Sequence, residues 1–468
     1  MPEAQKPDSD TKAAPDSAPT ATPGINPNLV RQVAEALEGG RPETAVALAK
    51  PLHAADLADL IEALRHDDRA LLLDALGSEL EPEALADLDE HVRDEVLEEI
   101  EPAEIATAAA ELDTDEAVYL IEDMAASERQ AVLEAMPQAG RERLEAALAY
   151  PEDSAGRLMQ RDYVAVPTFW TVGQVIDWLR DSDELPDEFY EIFVVDPRHR
   201  PIGTVPLYRA MRNKRPVSIN DIMDSAPRLI PVDMDQEEVA YHFDQYNLAS
   251  AAVVSSDGRL LGQITVDDVV DVIQEEAEED IHRMGGVTPE GDLYLPALAT
   301  VQRRWAWLLV NLATAVLASL TIALFAETID QLVALAILMP IVASMGGNAG
   351  TQTLTVAVRA LATRELTAAN AGRALWKECV VGGANGIIFA LIMGLAAALY
   401  FHDTVLGMVI GLAMIVNLWV AGIAGMLIPL GLHRAGVDPA LSAGIFLTTI
   451  TDVVGFFAFL GLAKLILF

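Results

Sequence analysis

The chain has 468 residues with 31 Lys or Arg and 71 Asp or Glu, which gives a formal net charge of −40 at pH 7. No nucleic-acid partner is expected of so acidic a chain. Its one cysteine, Cys379, excludes an intrachain disulfide, and its eight scattered histidines lack zinc-type spacing, so a zinc enzyme is not expected.

The composition changes abruptly near residue 300. Residues 301–468 hold eight basic and seven acidic residues, and removing these from the totals of 31 and 71 leaves 23 basic and 64 acidic residues in 1–300. The net charges of the two parts are therefore −41 and +1. An acidic, soluble part precedes an apolar part.

Residues 1–27 are rich in Ala, Pro, Asp, Ser and Thr and contain no apolar run, which predicts a disordered tail and no signal peptide. Residues 28–150 carry apolar side chains at helical spacing, as at Leu57, Leu60 and Leu64. Short acidic units recur along this stretch, which predicts an all-α N-domain built as a stack of short helices. A solvated acidic face would account for most of its carboxylates.

Residues 151–266 change to strands alternating with helices. An apolar strand, a turn and a second strand occur twice, at 193–205 and at 252–264, which makes an internal repeat of about 60 residues. The repeat resembles a tandem pair of CBS domains, a small α/β module that commonly senses ligands. The segment from Gly262 to Asp268 resembles the CBS nucleotide phrase.

That resemblance implies that Thr265 and Asp268 hold the phosphate and ribose of an adenine nucleotide such as ATP. The first copy has Pro206 and Arg209 at the matching places. Two alternatives stay open, namely one nucleotide site in the second copy and a CBS pair that binds no nucleotide.

Residues 267–304 begin as a strongly acidic helix that connects to the apolar part. Its apolar residues are predicted to form one stripe, and these are Val270, Ile273, Ala277, Ile281 and Met284. Its acids gather mainly on the other side, where stacked like charges destabilise a helix. Bound Mg²⁺ or Ca²⁺ would offset that repulsion, and an acidic, solvated helix is the alternative.

Residues 305–468 contain five runs of about the 20 apolar residues that span a bilayer. The predicted spans are Trp305–Phe325, Leu332–Ala360, Cys379–Phe401, Val405–Leu432 and Pro439–Phe468. Loop Arg and Lys residues lie on the side of the N-terminal part, so the positive-inside rule places residues 1–304 in the cytoplasm and Phe468 outside the plasma (inner) membrane.

Polar residues interrupt these spans. Asp452 lies near the middle of the fifth span, where a carboxylate costs about 2.5 to 3.5 kcal/mol, so such groups usually face a bundle interior or a water-filled path. Thr448 lies one turn before it, Asn348 and Gln352 share a face of the second span, and Asn417 lies near the centre of the fourth. We expect these residues to line an ion path, with helix–helix hydrogen bonding as the alternative.

Taken together, the chain resembles the MgtE magnesium channel family over nearly its whole length. The resemblance rests on four segments in the apolar part, namely Gly346–Gln352, Arg359–Arg364, Asp438–Ala440 and Thr449–Val453. It implies a homodimer with the ion path on the two-fold axis, an acidic plug helix at the cytoplasmic mouth, and a selectivity role for Asp452.

The resemblance also implies regulatory Mg²⁺ binding by acidic residues of the plug and of the N-domain. The plug residues are Asp268, Asp271, Glu276, Glu279 and Asp280, and the N-domain residues are Asp113, Asp115 and Glu116. Asp268 is thus a candidate for both the nucleotide and the metal.

The expected function is a Mg²⁺-selective channel that intracellular Mg²⁺ closes by binding to the N-domain, the CBS pair and the plug. The membrane potential would drive uptake with about 4.6 kcal/mol for two charges across 100 mV. No P-loop phrase is present and no enzymatic activity is expected. The alternatives are a CBS-regulated transporter of Co²⁺ or Mn²⁺ and a non-transporting membrane Mg²⁺ sensor.

Overall fold

The computed structural model describes residues 25–182, 185–186, 189–287 and 297–468. The predicted tail lies outside the described residues apart from its last three. The chain divides into two compact units, one ending at Ala149 and the other beginning at Tyr150.

The described part of the first unit is entirely helical. Its helices are α1 (Pro27–Glu38), α2 (Pro42–Ala49), α3 (Ala54–Ala63), α4 (His66–Leu76), α5 (Pro82–Ala86), α6 (Glu90–Glu99), α7 (Pro102–Glu111), α8 (Thr114–Ile121), α9 (Ala126–Ala135) and α10 (Gln138–Leu148), with a 3₁₀ turn at Gly77–Glu79. Four helices begin with proline, whose fixed φ suits the first helical position. Alternate helices pack together, as α2 does on α4 and α8 on α10, around one apolar core. The predicted helical N-domain is confirmed.

The second unit begins with two small sheets of the same topology. The strands are β1 (Ala165–Pro167), β2 (Glu191–Val195), β3 (Pro201–Pro206), β4 (Leu229–Pro231), β5 (Ser250–Val254) and β6 (Leu260–Thr265). The helices among them are α11 (Ala155–Leu158), α12 (Val172–Asp181), α13 (Leu207–Arg212), α14 (Ile219–Ile222) and α15 (Gln236–Tyr246). In each sheet the middle strand pairs in parallel with the strand before it and antiparallel with the strand after it.

The opening segment of each repeat packs into the other repeat. Ala155 and Met159 belong to the apolar core of the second sheet, and Gln160 exchanges backbone hydrogen bonds with Gln263 of β6. Ile219 belongs in turn to the core of the first sheet. The two modules therefore form one interlocked pair, as the resemblance to a tandem CBS pair implies.

The plug is one continuous helix, α16 (Val266–Gly285), that follows β6 directly. Gly286 ends the helix with a φ of 70°, a left-handed conformation that glycine adopts readily, and it lies against Trp307. The predicted stripe is not the buried face, because Val269 and Val272 are buried whereas Val270, Ile273 and Ile281 are exposed. The CBS core covers a different side of the helix from the one that apolar spacing alone selects.

Five helices are long and apolar enough to cross a membrane, and these are α17 (Ala297–Ala323), α19 (Ala334–Ala362), α20 (Ala371–Phe401), α21 (Thr404–Arg434) and α22 (Pro439–Ile466). A short helix, α18 (Ala326–Gln331), follows the first of them. Helices α17 and α20 each begin eight residues before the predicted span. Hydropathy marks only the apolar length, whereas the first turns of α20 carry the basic residues Arg373 and Lys377.

Helix α21 lies at the centre of the membrane domain, against α19, α20 and α22. Small residues bring α20 and α21 close together, since a Cβ at Gly394 would lie 2.9 Å from the carbonyl oxygen of Gly407. Such contacts bring helix backbones together in membranes, where apolar burial provides little driving force between helices. The predicted five-helix membrane domain is confirmed.

Candidate functional site

One polar face of α22 carries Asp452 and Thr448. Thr448 is exposed and donates its hydroxyl hydrogen bond to backbone carbonyls of its own helix, and Asp452 is partly buried. The neighbouring Thr451 is fully buried. Among the described residues the Asp452 carboxylate has no hydrogen bond or ion pair, so it remains free to bind a cation.

A second polar face is exposed on α19. Asn348 and Gln352 are both exposed in the single protomer. The same helix buries Gly346 and Gly350 on its other side, where Gly350 packs against Leu447 of α22. The polar and the small residues thus divide α19 into an open face and a packed face.

The packing contacts fix the depth of these two faces relative to each other. Gly346 of α19 and Gly455 of α22 both contact Asn417, whereas Gly350 contacts Leu447. Helices α19 and α22 therefore run antiparallel, with the segment between 346 and 350 level with the segment between 447 and 455. Asn348 and Asp452 consequently lie at about the same depth.

Asn417 occupies a different environment from the other polar residues of the spans. It is fully buried within the protomer, and its Nδ2 donates a 2.7 Å hydrogen bond to the carbonyl oxygen of Val342. Its Oδ1 has no hydrogen-bond partner among the described residues. In this position Asn417 joins α19, α21 and α22, so the geometry favours the helix-packing alternative for this residue.

The acidic residues of α16 face the CBS pair and the start of α22. Glu276 accepts a 2.9 Å hydrogen bond from Nε2 of Gln236 in α15. Burial raises the pKa of Glu276, and the nearby carboxylates of Glu279, Asp235 and Asp153 raise it further. Like charges thus crowd this side of the plug.

The same pattern holds at the end of the helix. Burial raises the pKa of Asp280, and the carboxylates of Asp438 and Glu276 raise it further. Burial also raises the pKa of Glu279, although the guanidinium of Arg283 opposes the shift. Ionised carboxylates are therefore costly here unless a cation compensates them.

Arg283 supplies one such cation. Its guanidinium pairs with Glu279 on its own helix, and its Nη1 lies 2.5 Å from Oδ2 of Asp438. Asp438 also caps α22, because its Oδ1 accepts a 2.7 Å hydrogen bond from the backbone N–H of Ala440. The plug is thereby tied to the start of the helix that carries Asp452.

The plug and the CBS pair make two further contacts with the membrane helices. Met284 of α16 packs against a buried cluster that includes Leu354 of α19 and Leu447 of α22. Arg364, in the loop after α19, lies 3.4 Å from the Glu238 carboxylate and stacks on the ring of Tyr241, both in α15. The CBS pair is thus in contact with the loops on one side of the membrane domain.

The geometry of these acids does not by itself assemble a complete metal cage. Among the described residues no group of three or more His, Cys, Asp or Glu side chains is arranged to hold a metal ion. The donor chemistry still suits Mg²⁺, which takes one or two carboxylates and keeps several waters. Carboxylate pairs with raised pKa values, such as Glu276 and Asp280, fit that kind of outer site.

The candidate nucleotide residues bond to each other. Thr265 caps α16, and its hydroxyl donates a 2.7 Å hydrogen bond to Oδ2 of Asp268. Nε2 of Gln160 lies 3.4 Å from the same oxygen. Asp268 thus caps the N-terminus of α16 in this arrangement.

The N-domain candidates lie at the start of α8. Asp113 and Glu116 form a capping box, in which the Asp113 backbone N–H donates to the Glu116 carboxylate at 3.3 Å. Asp115 lies between them in the first turn. This local role accounts for the spacing of Asp113 and Glu116 without a metal.

Sequence reasoning missed two functional candidates. Asp438 is part of a recognised segment, but only the contact with Arg283 shows that it joins the plug to α22. Glu378 was counted only as an acid, yet it is buried in α20 and accepts a 3.0 Å hydrogen bond from the hydroxyl of Thr353 in α19. A carboxylate next to the predicted start of a span was the one available signal for Glu378.

Three family models match the chain. A divalent cation transporter model, MgtE, matches residues 339–462, and the MgtE intracellular N domain matches residues 52–153. A CBS domain model matches residues 219–275, which contain the second repeat from α14 into α16. The N-terminal part is thus a cytosolic domain, and the loops that contact the CBS pair face the same side.

Curated relatives agree with this assignment. The magnesium transporter MgtE of Thermus thermophilus is 35% identical over 331 residues, covering 70% of this chain and 73% of that protein. Its counterpart of Enterococcus faecalis is 31% identical over 318 residues, with coverages of 68% and 70%. That of Bacillus subtilis is 26% identical over 410 residues, with coverages of 87% and 90%.

Two solved structures resemble the N-terminal part. The cytosolic domain of the Mg²⁺ channel MgtE in complex with ATP is 30% identical, covers 52% of this chain and 99% of that chain, and has a TM-score of 0.48. The soluble part of a magnesium transporter is 25% identical, covers 53% and 98%, and has the same TM-score of 0.48. From the family models and the curated relatives together, the chain belongs to the MgtE family of divalent cation transporters.

Proposed function

We propose that this protein is a Mg²⁺-selective channel whose ion path passes Asp452. The observation that carries the proposal is a carboxylate without a protein partner in a membrane-spanning helix, level with the open amide of Asn348. A carboxylate at such a depth is costly unless a cation or water meets it. The names of the curated relatives, all magnesium transporters, support Mg²⁺ as the ion.

We further propose that two protomers form the path. The polar faces of α19 and α22 and the apolar side chains Val270 and Ile273 of the plug are exposed in a single protomer. A second copy would cover both surfaces and place two Asp452 carboxylates around one axis. Mg²⁺ dehydrates reluctantly, so Asp452, Thr448, Asn348 and Gln352 would hold the ion through its water shell.

Closure in this proposal depends on the docking of α16 at the start of α22. Mg²⁺ that binds Asp271, Glu276, Glu279 or Asp280 neutralises the crowded carboxylates and favours the docked plug, because a ligand shifts an equilibrium towards the state that it binds better. The permanent Arg283 cation supports the same contact. The acidic residues of α16 and Arg283 thus act together on the contact between α16 and the start of α22.

The proposed sensor has two further parts. Asp113, Asp115 and Glu116 are proposed as additional Mg²⁺ ligands of the N-domain, and their capping role is the competing explanation. Thr265 and Asp268 are proposed as an ATP contact, and a titration of ATP against the purified full-length protein tests it directly. A loss of binding in Thr265→Val but not in Thr204→Val would support the site.

The proposed location is the plasma (inner) membrane with the C-terminus outside. Five candidate membrane helices and a cytosolic N-terminal part support this proposal, because an odd number of spans would put Phe468 on the side opposite the N-terminal part. Accessibility of a cysteine introduced at Phe468, in a Cys379→Ser background, to an impermeant reagent tests this orientation.

The decisive experiment is Mg²⁺ flux into proteoliposomes. Asp452→Asn should abolish the flux, whereas Asp330→Asn, which removes an exposed carboxylate of α18, should leave it unchanged. Near-normal flux in Asp452→Asn would refute the proposed path. Competition by Co²⁺ or Mn²⁺ stronger than self-competition by Mg²⁺ would favour a transporter of those ions, and absence of any flux would favour a non-transporting sensor.

A further inference from the structure

A cleft of about 270 Å³ opens between the ends of α19 and α20 that adjoin the Arg364 loop. Its walls include the apolar side chains of Val356, Ala360 and Met426, and its polar residues include Arg373, Lys377 and Glu378. The proposed ion path uses none of these residues. The cleft therefore needs an explanation of its own.

At the inner end of the cleft, the Glu378 carboxylate already has partners within the protein. Glu378 is 8% exposed, and its carboxylate accepts the hydrogen bond from Thr353. Nζ of Lys377 lies 3.9 Å from the same carboxylate, at the outer limit of an ion pair. A further ligand would therefore bind at the mouth of the cleft and not beside Glu378.

The mouth carries positive charge that the protein leaves available. Arg373 and Lys377 are four residues apart on α20, so they share one face of the helix. Both are exposed, and the Arg373 guanidinium has no hydrogen bond or ion pair among the described residues. Besides Glu378, one acidic residue, Glu365 of the loop before α20, lines the cleft, and its side chain is exposed.

The surroundings of the mouth are those of a membrane surface. Trp376, between the two basic residues in sequence, is 71% exposed, and the neighbouring Val356 and Val380 are exposed as well. Tryptophan is enriched at the level of lipid headgroups. The nearby Arg364 contacts the CBS pair, which belongs to the cytosolic side of the protein.

We propose that this cleft binds the headgroup of an anionic phospholipid of the cytoplasmic leaflet. The phosphodiester would lie between Arg373 and Lys377, and an acyl chain would continue along Val356 and Trp376. Basic pockets between membrane helices on the cytoplasmic side are the usual sites for anionic headgroups. The apolar wall selects a lipid over free phosphate, which would gain nothing from it.

Occupancy has a structural consequence for the pore helix. A lipid that contacts Val356 of α19 together with Arg373 and Lys377 of α20 would bridge two helices that the Thr353–Glu378 hydrogen bond already joins. Thr353 directly follows Gln352 in the chain. The lipid would therefore stabilise the packing of α19 against α20 next to the proposed path.

The test compares full-length protein in detergent with added phosphatidylglycerol or phosphatidylcholine. Wild type should retain phosphatidylglycerol in native mass spectrometry and unfold at a higher temperature with it than with phosphatidylcholine. In Arg373→Gln/Lys377→Gln the affinity for phosphatidylglycerol should fall about 25-fold, because each basic residue near an anionic surface contributes roughly a fivefold gain.

The matched control is Arg359→Gln/Arg434→Gln, which removes two exposed basic residues outside the cleft and should keep the lipid effect. A monodisperse elution profile shows that each variant is folded. Equal lipid retention by the two double variants would overturn the proposal. Stabilisation by inorganic phosphate or glycerol 3-phosphate equal to that by the lipid would also overturn it, because the site would then be one for a free anion.

Discussion

Arg283 of the plug helix and Asp438 at the start of the last membrane helix form an ion pair with a 2.5 Å N–O distance across 155 positions of sequence. Both side chains are partly exposed, so the pair contributes on the order of 1 kcal/mol or less. The ion pair matters because of its position, since it joins the proposed sensor to the helix that carries Asp452.

Asp438→Asn should weaken closure. Asparagine caps a helix about as well as aspartate, so the substitution keeps the start of α22 and removes only the charge. The internal Mg²⁺ concentration that halves flux into proteoliposomes should rise about two- to fivefold, which corresponds to roughly 0.5 to 1 kcal/mol. An unchanged concentration would show that the pair does not contribute to gating.

Arg283→Gln should change the dependence of flux on internal Mg²⁺ mainly at low Mg²⁺. Without the guanidinium, Glu279 and Asp438 lose their permanent cation, so the docked plug depends on Mg²⁺ alone. We expect more flux at low internal Mg²⁺ and full closure at high Mg²⁺, and Arg283→Lys should restore most of the wild-type curve. Arg212→Gln, an exposed residue of α13, serves as the control. A parallel loss of closure at every Mg²⁺ concentration would contradict the expectation.

Acid should partly replace Mg²⁺ at the plug. The pKa values of Glu276, Glu279 and Asp280 are raised in the docked arrangement, chiefly by burial. The docked state therefore binds more protons than the undocked one, and its relative stability grows as the pH falls from 7 towards the ordinary carboxyl range near 4.

The measurement is a distance between spin labels on exposed positions, Gln274 of α16 and Leu441 of α22, in a Cys379→Ser background without Mg²⁺. The distance distribution should narrow at about pH 5.5 relative to pH 7.5. The triple variant Glu276→Gln/Glu279→Gln/Asp280→Asn should show no such pH dependence. A narrower distance distribution at pH 7.5 than at pH 5.5 would show that acid disfavours docking and would refute this prediction.

Gly346 and Gly347 should respond in opposite ways to alanine. A Cβ at Gly346 would collide with the Asn417 carboxamide, whereas a Cβ at Gly347 meets nothing within 4 Å. Gly346→Ala should lower the free energy of unfolding by about 1 to 3 kcal/mol through overpacking, and Gly347→Ala should be neutral or stabilising because alanine favours helix. Thermal unfolding of the two variants in detergent checks this pair, and equal midpoints would contradict it.

In the N-terminal unit, the next prediction concerns the buried side chain of Arg93 and its effect on stability. Its side chain is 1% exposed, stacks on Tyr119 and pairs with Asp123 at 2.7 Å. Asp123→Ala would leave a buried guanidinium without its carboxylate and should destabilise the unit by about 3 kcal/mol. Arg93→Met should cost less, because it removes the charge together with its need for a partner.

Hydrogen exchange of the α8 amides in the full-length protein measures the effect at Arg93. Asp59→Ala, an exposed substitution in α3, should stay within about 0.5 kcal/mol of wild type. A larger loss in Arg93→Met than in Asp123→Ala would contradict the electrostatic explanation.

The sequence allowed the large elements to be predicted because they depend on composition and period. Apolar length alone located five spans, and repetition alone located the paired sheets. The apolar stripe predicted for the plug did not show which of its residues are buried, since Val270 and Val269 are adjacent and only the packing of the CBS core decides which is covered.

The individual site residues were harder to predict for a related reason. Asn417 and Asn348 are the same residue type in neighbouring apolar spans, yet one is fully buried against Gly346 and the other is exposed. Helix rotation decides between these roles, and it depends on contacts far apart in sequence. Pairs such as Arg283 with Asp438 are distant in the chain and leave no local pattern.

The CBS pair and the plug helix that continues from it meet the membrane domain through polar contacts at two separate places, at Asp438 through Arg283 of the plug and at Arg364 through Glu238 of the CBS pair. A body held at two points keeps one easy motion, which is rotation about the line that joins them. Loss of either contact would allow the CBS pair and the plug to rotate about more than one axis. Arg283 and Arg364 would then define the axis of this rotation. Both would be needed for the plug to return to the same position each time it closes.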